Sequence, residues 1–316
     1  MGYGLHYLPA VIVKKDKDMT DTSLHKTLVD LLELLAVHEL FNESSLPDVR
    51  FFRSGQYIPR SPSAYEPSIV IIGQGRKLGY LGDKVYTYDP YNYLVLSVPL
   101  PIECETFGSP QEPLLGVYIN VNPLTVSELL LEMEDDRAPA GILPRGIYST
   151  PLPEALLGAT VRLLECLSTP LESKILGPQI IREIIYRVLC GEQGDILRLL
   201  ASRQSRFGQI AKVLQRMHTE FSTKLDIGTL ANEANMSVSS FHSNFKTVTA
   251  SSPLQYLKSV RLHKARLLMA QDGFNASMAA STVGYESASQ FSREFKRFFG
   301  NTPVEEASKF RAMIGP

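Results

Sequence analysis

The chain has 316 residues, enough for two domains, and its 44% hydrophobic and 21% charged residues are ordinary for a globular protein. No apolar run approaches the roughly 20 residues needed to cross a bilayer, and three cysteines are too few for a disulfide framework, which fits a cytoplasmic protein. The net charge of −1 averages an acidic part with a basic one, residues 203–316, which hold 15 Lys or Arg against 8 Asp or Glu and are expected to bind a polyanion.

The N-terminal part begins with an expected flexible arm, residues 1–21, in which Met19 is an alternative start to Met1. Residues 22–41 carry leucines at helical spacing and are predicted to form an amphipathic helix. From about residue 49 to residue 121, the short runs VRFF, SIVII, KVYTY, YLVLSV and GVYINV alternate with turn signals such as Gly82-Asp83 and Asp89-Pro90. Such a series of short strands is typical of a small β-barrel or sandwich.

Helices are predicted to follow these strands, at 124–134, 152–168 and 178–190, the first of them started by Asn122-Pro123. The second and third hold more apolar residues than one covering surface needs, so we expect part of this surface to pair two subunits into a homodimer. The residues concerned are Leu156, Leu157, Leu163, Leu164, Leu167, Ile181, Ile184 and Ile185. We place the boundary between the two domains near residues 202–205, giving domains 22–202 and 203–316.

The strongest pattern of the chain is a repeat at a period of 50 residues. The sequence S-x-S-x-F-x-x-x-F-K begins at Ser237 and again at Ser287, and a proline follows seven residues after each lysine, at Pro253 and Pro303. Upstream, Leu230-Ala231 and Ala279-Ala280 each begin a short helix that ends in a tight turn at Asn235-Met236 and Gly284-Tyr285.

Each part of the repeat has a mechanical reason in a helix-turn-helix. Ser237 and Ser287 suit the N-cap of a second helix, and the two phenylalanines of each copy lie on one face, to be buried against the preceding helix. The residues between the phenylalanines then project outward, as a recognition helix in the major groove requires, and the lysine can reach a phosphate. A pair of similar α-hairpins in a helical bundle is the alternative, which the basic flanks and the long joining helix at about 253–270 disfavour.

These residues closely resemble the AraC/XylS family of transcription regulators. The resemblance covers roughly the last hundred residues, through SSPLQYLKSVRLHKARLLMA at 251–270 and VGYESASQFSREFKRFFGNTP at 283–303. The N-terminal part is similar to the sensor domain of one branch of the family, in SIVIIGQGRKLGYLGDKVYTYDPYNYLVLSVPLPIECE at 68–105, LLGVYINVNPLTVSELL at 114–130 and REIIYRVLCGEQG at 182–194. It implies an α+β protein with a cupin-like β-barrel, dimerisation helices and an all-α double helix-turn-helix domain.

The resemblance also implies which residues contact DNA. The base-reading positions of the family fall on Ser239, His242, Ser243, Ser289, Ser292 and Arg293. Phosphate contacts are expected from Ser237, Lys246, Ser287, Lys296 and Arg297, of which Arg297 is ambiguous between the two roles. The first recognition helix departs from the familiar pattern because it offers no Arg or Gln for a bidentate base contact, so Arg293 is expected to contribute most to specificity.

A cupin-like barrel can also be catalytic, but the residues here speak against a metal enzyme. Metal-dependent cupins need two or three histidines on adjacent strands, and none of the six histidines lies between residues 39 and 217. Three scattered cysteines also exclude the metal-bound cysteine cluster of a DNA-repair regulator. We therefore expect no enzymatic activity, no metal and no cofactor.

A dry ligand pocket remains the alternative use of the barrel, and its candidate lining residues are Tyr80, Tyr86, Tyr88, Cys104 and Phe107. Each aromatic residue of this set could equally belong to the core. Cys104 lies between Glu103 and Glu105, which would raise the pKa of its thiol if they lie close, so a structural thiol is favoured over a redox or electrophile sensor.

The sequence as a whole predicts a cytoplasmic, dimeric regulator that binds double-stranded DNA and responds to a small molecule or a redox signal. RNA polymerase is a further expected partner, and no membrane is expected. The alternative is a constitutive DNA-binding protein whose N-terminal domain only dimerises, and a ligand-dependent change in DNA affinity would distinguish the two.

Overall fold

The computed structural model describes residues 17–134, 143–202 and 205–314. Residues 1–16, most of the expected arm, lie outside these ranges, and helix α1 (Lys17–Leu35) begins within the last residues of that arm. The helix ends six residues before the predicted end at residue 41, and strand β1 (Leu40–Glu43) follows. The Asn42 side chain exchanges two hydrogen bonds of 2.8 Å with the backbone of His38, which turns the chain away from the helix.

Among the described residues of the N-terminal part, ten strands form two antiparallel sheets. The remaining strands are β2 (Val49–Ser54), β3 (Ile58–Tyr65), β4 (Ser68–Gln74), β5 (Arg76–Leu81), β6 (Lys84–Tyr88), β7 (Asn92–Leu96), β8 (Leu100–Phe107), β9 (Leu114–Asn120) and β10 (Ile147–Pro151). One sheet has the order β1-β2-β9-β4-β7-β10 and the other β3-β8-β5-β6. Side chains of the two sheets meet between them, as Tyr65 on β3 and Tyr118 on β9 do with ring centroids 5.5 Å apart. This is the double-sheet architecture expected of a cupin-like barrel.

The five predicted runs correspond to β2, β4, β6, β7 and β9, whereas the other five strands were not predicted. Strand β3 contains Pro59 and Pro62, which a central strand does not tolerate, but it lies at the edge of its sheet. Strand β4 is buried along almost its whole length because α1 packs on the sheet that contains it. At Gly73 a Cβ would lie 2.6 Å from Cδ1 of the buried Leu32, so a larger residue would have to displace the Leu32 side chain.

Four helices complete the N-terminal part: α2 (Pro123–Glu132), α3 (Glu154–Cys166), α4 (Pro170–Cys190) and α5 (Gly194–Ala201). The predicted start of α4 at residue 178 is wrong, because Pro178 lies inside the helix and Pro170 occupies its first turn. The apolar residues that we assigned to subunit pairing are buried within the protomer, Ile181 partly. The exposed apolar residues of α4 are instead Leu171, Ile175, Leu176 and Tyr186.

In the C-terminal part, the described residues 205–314 form seven helices. They are α6 (Arg206–Thr219), α7 (Ile227–Glu233), α8 (Val238–Thr249), α9 (Pro253–Ala270), α10 (Ala276–Thr282), α11 (Ala288–Phe299) and α12 (Pro303–Ile314). Helix α9 lies between the two copies of the repeat, as predicted, and buries Leu257 and Leu262. No helix in the described part of the chain is long and apolar enough to span a bilayer.

The two parts are joined by direct contacts. The Tyr256 hydroxyl on α9 donates to the Pro99 carbonyl at 2.7 Å and lies 2.7 Å from His218 Nε2. The Gly146 amide donates to the Val248 carbonyl in the last turn of α8 at 3.1 Å. The core of the first helix-turn-helix is continuous with that of the barrel, whereas the second has a separate core around Phe291 and Phe295.

Candidate DNA-binding surface and ligand cavity

The first copy of the repeat folds as α7, a tight turn and α8. Asn235 takes the left-handed conformation, with φ of 51°, and the Met236 amide donates to the Ala231 carbonyl at 3.0 Å, which ends α7. The Ser237 hydroxyl then accepts the Ser240 amide at 3.2 Å and caps α8. The predicted turn and cap are therefore both present.

The second copy repeats this geometry in α10 and α11. Gly284 has φ of 84°, and a Cβ there would lie 2.2 Å from the Ser222 carbonyl oxygen, so the position requires glycine. The Tyr285 amide donates to the Ala280 carbonyl at 2.9 Å, as its counterpart does in the first copy. Ser287 caps α11 by accepting the Gln290 amide at 3.3 Å.

The phenylalanines of the repeat fix the orientation of both recognition helices. Phe241 and Phe245 in α8, and Phe291 and Phe295 in α11, are fully buried, with ring centroids 5.5 and 5.3 Å apart within each pair. The opposite faces of the two helices are consequently in solvent. Exposed there are Ser239, His242, Ser243, Ser289 and Arg293, whereas Ser292 is half-buried and donates to the Ala288 carbonyl.

The Arg293 side chain is exposed on the surface of α11. Its neighbour Glu294 accepts hydrogen bonds from Lys258 at 2.9 Å, Tyr285 at 2.9 Å and Gln290 at 3.2 Å. Burial pushes the pKa of Glu294 upward, but these hydrogen bonds outweigh it and leave the pKa below its usual value. Within the described ranges no carboxylate pairs with Arg293, so Glu294 ties α11 to α9 instead of neutralising the arginine.

The residues expected to contact phosphates lie on α8 and α11 or at the N-caps of these helices. Ser237, Lys246, Ser287, Lys296 and Arg297 are all exposed. Both serine hydroxyls accept an amide as helix caps, so the hydroxyl hydrogen of each remains available to a phosphate oxygen.

A cavity of about 1100 Å³ lies between the barrel and the C-terminal helices. Phe52, Tyr65, Lys77, Cys104 and Tyr118 line it from the two sheets. From the C-terminal side it is lined by residues of α6, α9 and α12, among them His218, Val260, His263, Lys264, Leu267 and Phe310. Burial, together with the nearby Arg266 guanidinium, holds the pKa of His263 well below its usual value, and His263 Nε2 has no hydrogen-bond partner among the residues that the structure describes.

Of the five expected pocket residues, only Cys104 lines this cavity. Tyr88 lies one layer behind it, with its hydroxyl 3.0 Å from the Tyr65 hydroxyl and 3.7 Å from Cys104 Sγ. Tyr80 packs under Arg60 and donates to Glu105, and Phe107 packs under Arg76, both on the other face of the sheet. Tyr86 is half-buried beside Arg145.

The lining residues that the sequence did not single out come from both sheets, among them strands β1, β2, β3, β5, β8 and β9, and from helices α6, α9 and α12. The alternation of side chains along β5 could have identified Lys77 as a lining residue. Lys77 and Gly79 face the interior of the barrel, and Leu78 and Tyr80 face the exterior. Lys77 lies beside Tyr88 and Thr106 in the sheet register, both buried. In the part of the chain that the structure describes, no three His, Cys, Asp or Glu residues are grouped as a metal site.

Comparison with known proteins identifies both parts. Residues 45–196 match the family described as the AraC-type transcriptional regulator N-terminus, and residues 230–308 match a helix-turn-helix domain family. The RCS-specific HTH-type transcriptional activator RclR of Escherichia coli is 32% identical over 133 residues, 42% of this chain and 44% of RclR. The Msm operon regulatory protein of Streptococcus mutans is 24% identical over 161 residues, 50% of this chain and 56% of that protein. The chain thus spans about half the length of these curated relatives.

Solved structures share the fold over most of the chain. ToxT from Vibrio cholerae, in a structure with a bound unsaturated fatty acid, superposes with a TM-score of 0.59 at 13% identity, covering 84% of this chain and 95% of ToxT. Another ToxT structure gives a TM-score of 0.56 at 11% identity over 85% of this chain and all of that one. With its AraC-type N-terminal domain and its C-terminal helix-turn-helix domain, the chain belongs to the AraC family of transcription regulators.

Proposed function

We propose that the protein is a sequence-specific DNA-binding transcription regulator whose two recognition helices, α8 and α11, read successive major-groove segments on one face of the DNA. The observation that carries this proposal is the pair of equivalent, capped helices on either side of α9. With 18 residues, α9 is about 27 Å long, which is of the order of the roughly 34 Å between major-groove segments one turn apart.

The roles of individual residues follow from their position on these helices. Bases are read by Ser239, His242, Ser243, Ser289, Ser292 and Arg293, and phosphates are bound by Ser237, Lys246, Ser287, Lys296 and Arg297. Arg293 supplies the most base discrimination, because a guanidinium can donate two parallel hydrogen bonds to guanine O6 and N7. The net charge of +7 over residues 203–316 supports a large contribution of phosphate contacts to affinity.

The N-terminal part, residues 22–202, is proposed to sense a small molecule and to pair two subunits, and residues 203–316 to bind DNA. The cavity between the two parts supports a ligand, as does the fatty acid held by ToxT, which shares the fold. A redox signal at Cys104 is the second candidate. The regulator is proposed to act in the cytoplasm without enzymatic activity, and RNA polymerase is a further proposed partner, since RclR is named an activator.

The test of this function is selection of genomic fragments by the full-length chain, with the retained fragments sequenced. We expect enrichment of a two-part sequence whose halves lie about one helical turn apart. Affinity for that site should fall with salt, with a log–log slope of about −0.9 for each neutralised phosphate. Retention of fragments in proportion to their abundance, independent of salt, would contradict the proposal. If no candidate metabolite changes the affinity of the chain for its selected DNA site, a constitutive regulator is favoured.

A further inference from the structure

The barrel wall of the cavity carries a cation, Lys77, that has no counter-ion among the described residues. Lys77 Nζ donates a hydrogen bond of 2.8 Å to the Tyr65 hydroxyl. It lies 5.4, 5.5 and 5.9 Å from the ring centroids of Phe52, Tyr65 and Tyr88. No carboxylate of the described residues forms an ion pair with it. One hydroxyl and three aromatic rings therefore hold an ammonium group that has three donors to satisfy.

This arrangement is energetically costly. A buried ammonium without a paired charge loses hydration that the protein does not replace, and burial accordingly lowers the pKa of Lys77. An anion in the cavity would remove this cost, because it would pair with the ammonium and accept its remaining donors. The Tyr65 hydroxyl does not compensate the charge of Lys77, because it is neutral and also contacts Tyr88 and Cys104.

The charged residues around the rest of the cavity also favour an anionic ligand. The basic lining residues are Arg50, Arg53, Lys77, Lys264, Arg266, Lys309 and Arg311, and the acidic ones are Glu43, Glu66 and Glu306. Glu306 already binds Arg266 at 3.3 Å and Asn301 at 2.8 Å, and Glu66 lies 3.7 Å from His218. The lining is therefore positive overall, and the Glu306 carboxylate is already paired with Arg266.

The remaining surface of the cavity is suited to an apolar body. The rings of Phe52, Tyr65 and Tyr118 line one side, and Val260 and Leu267 of α9 line the other. The volume is in the range of cavities that enclose a whole small molecule. An inorganic anion would satisfy Lys77 but would leave this apolar surface against water.

We propose that the cavity binds an organic carboxylate with an apolar body, the carboxylate paired with Lys77 and the body between the barrel rings and helix α9. The consequence for DNA rests on the proposed function. Because α9 lies between the two recognition helices, a ligand that contacts both α9 and the barrel stabilises one arrangement of the two domains and shifts DNA affinity by its preference for that arrangement.

Binding is measured by calorimetry on the full-length chain without DNA, with two matched pairs of probes: decanoate with decanamide, and naphthalene-2-carboxylate with naphthalene-2-carboxamide. Inorganic phosphate serves as an anion without an apolar body. We expect at least one carboxylate to bind about tenfold more tightly than its amide, because only the charged member pairs with Lys77, and phosphate to bind far more weakly. If neither carboxylate binds, if each amide binds equally well, or if phosphate competes equally, the proposal is wrong.

The variant Lys77→Met keeps the length of the side chain and removes the charge, so it should abolish the preference for carboxylate, whereas Lys77→Arg should keep part of it. Lys84→Met, at an exposed lysine of β6, should bind as the wild type does. Without ligand, Lys77→Met should melt at the same or a higher temperature, because it removes an uncompensated buried charge. A carboxylate preference retained by a folded Lys77→Met variant contradicts the assignment.

The two proposals can fail separately. A chain that binds the carboxylate but selects no DNA sequence would overturn the regulatory function and leave the site intact. A chain that selects a DNA sequence but binds neither carboxylate would overturn the site alone. If both hold, the bound carboxylate should change the affinity of the full-length chain for its selected site, and should not do so in Lys77→Met.

Discussion

At the scale of the residue, two neighbours on α11 have opposite relations to charge. Arg293 is exposed and unpaired within the described ranges, whereas Glu294 binds Lys258, Tyr285 and Gln290. The Glu294 carboxylate therefore binds groups of α9 and α11 and does not neutralise Arg293. Glu294 thus helps to hold α11 against α9, whereas Arg293 faces the expected position of the DNA.

Replacing Arg293 should affect specificity, and replacing Lys296 should affect affinity alone. Arg293→Ala is expected to lose about 1–3 kcal/mol on the selected site and little on a scrambled duplex, because it removes a base contact. Lys296→Ala should weaken both complexes alike, because a phosphate contact carries no sequence information. Fluorescence anisotropy on both duplexes checks this. Equal ratios of specific to nonspecific affinity in the two variants would show that Arg293 does not read bases.

At the scale of the element, the Glu294 carboxylate links α11 to α9 in a pH-dependent manner. Since its pKa is lower in the folded than in the unfolded protein, its stabilisation is present above its ordinary pKa of 4.5 and is lost as the pH falls through the folded pKa. Glu294→Gln should lower the free energy of unfolding by on the order of 1 kcal/mol at neutral pH, and the difference from wild type should vanish in acid.

Urea unfolding of both proteins from neutral to acidic pH measures this difference. Glu286→Gln is the control, because Glu286 is exposed and makes none of these hydrogen bonds. A difference between wild type and Glu294→Gln that stays constant over the whole pH range would mean that the charge of Glu294 does not stabilise the packing of α11.

Helix α4 presents the apolar surface that the proposed dimer requires. Leu171, Ile175 and Leu176 are 70%, 58% and 46% exposed, and we refer to them as the α4 face. Ile175→Asp should convert a dimer into a monomer, because pairing would bury the new carboxylate without a partner. Leu254→Asp, at a residue 57% exposed on α9, should leave the dimer intact. Analytical ultracentrifugation at tens of micromolar protein measures the oligomeric state of the wild type and of both variants. A monomeric wild-type chain would contradict the proposed dimer.

At the scale of the whole molecule, the two domains are coupled through the buried Tyr256 hydroxyl. Tyr256→Phe leaves the Pro99 carbonyl and His218 without this partner, and should lower the free energy of unfolding by about 1–3 kcal/mol. Tyr91→Phe is the control, because Tyr91 is 79% exposed. Chemical denaturation compares them, and equal stability of the two variants would mean that the hydroxyl does not contribute to domain docking.

What the sequence by itself determined is local. The caps at Ser237 and Ser287, the buried phenylalanines and the turns at Asn235 and Gly284 all depend on neighbours within a few residues, so periodicity and residue type sufficed to predict them. The same holds for the five strands that short β-branched and aromatic runs predicted. The predicted helix start at residue 178 was wrong, because a proline is compatible with a helix start and, less often, with a helix interior, where Pro178 lies.

Only the tertiary structure decided which residues share the ligand cavity and which surfaces remain free. Tyr65, Lys77 and Tyr118 come from three strands in two sheets, and their proximity depends on strand order and register, which a shift of one residue would reverse. Tyr80, three residues after Lys77, faces the other side of the sheet for this reason. Likewise, the burial of Leu156 and Ile184 depends on α3 packing against α4, which no local pattern specifies.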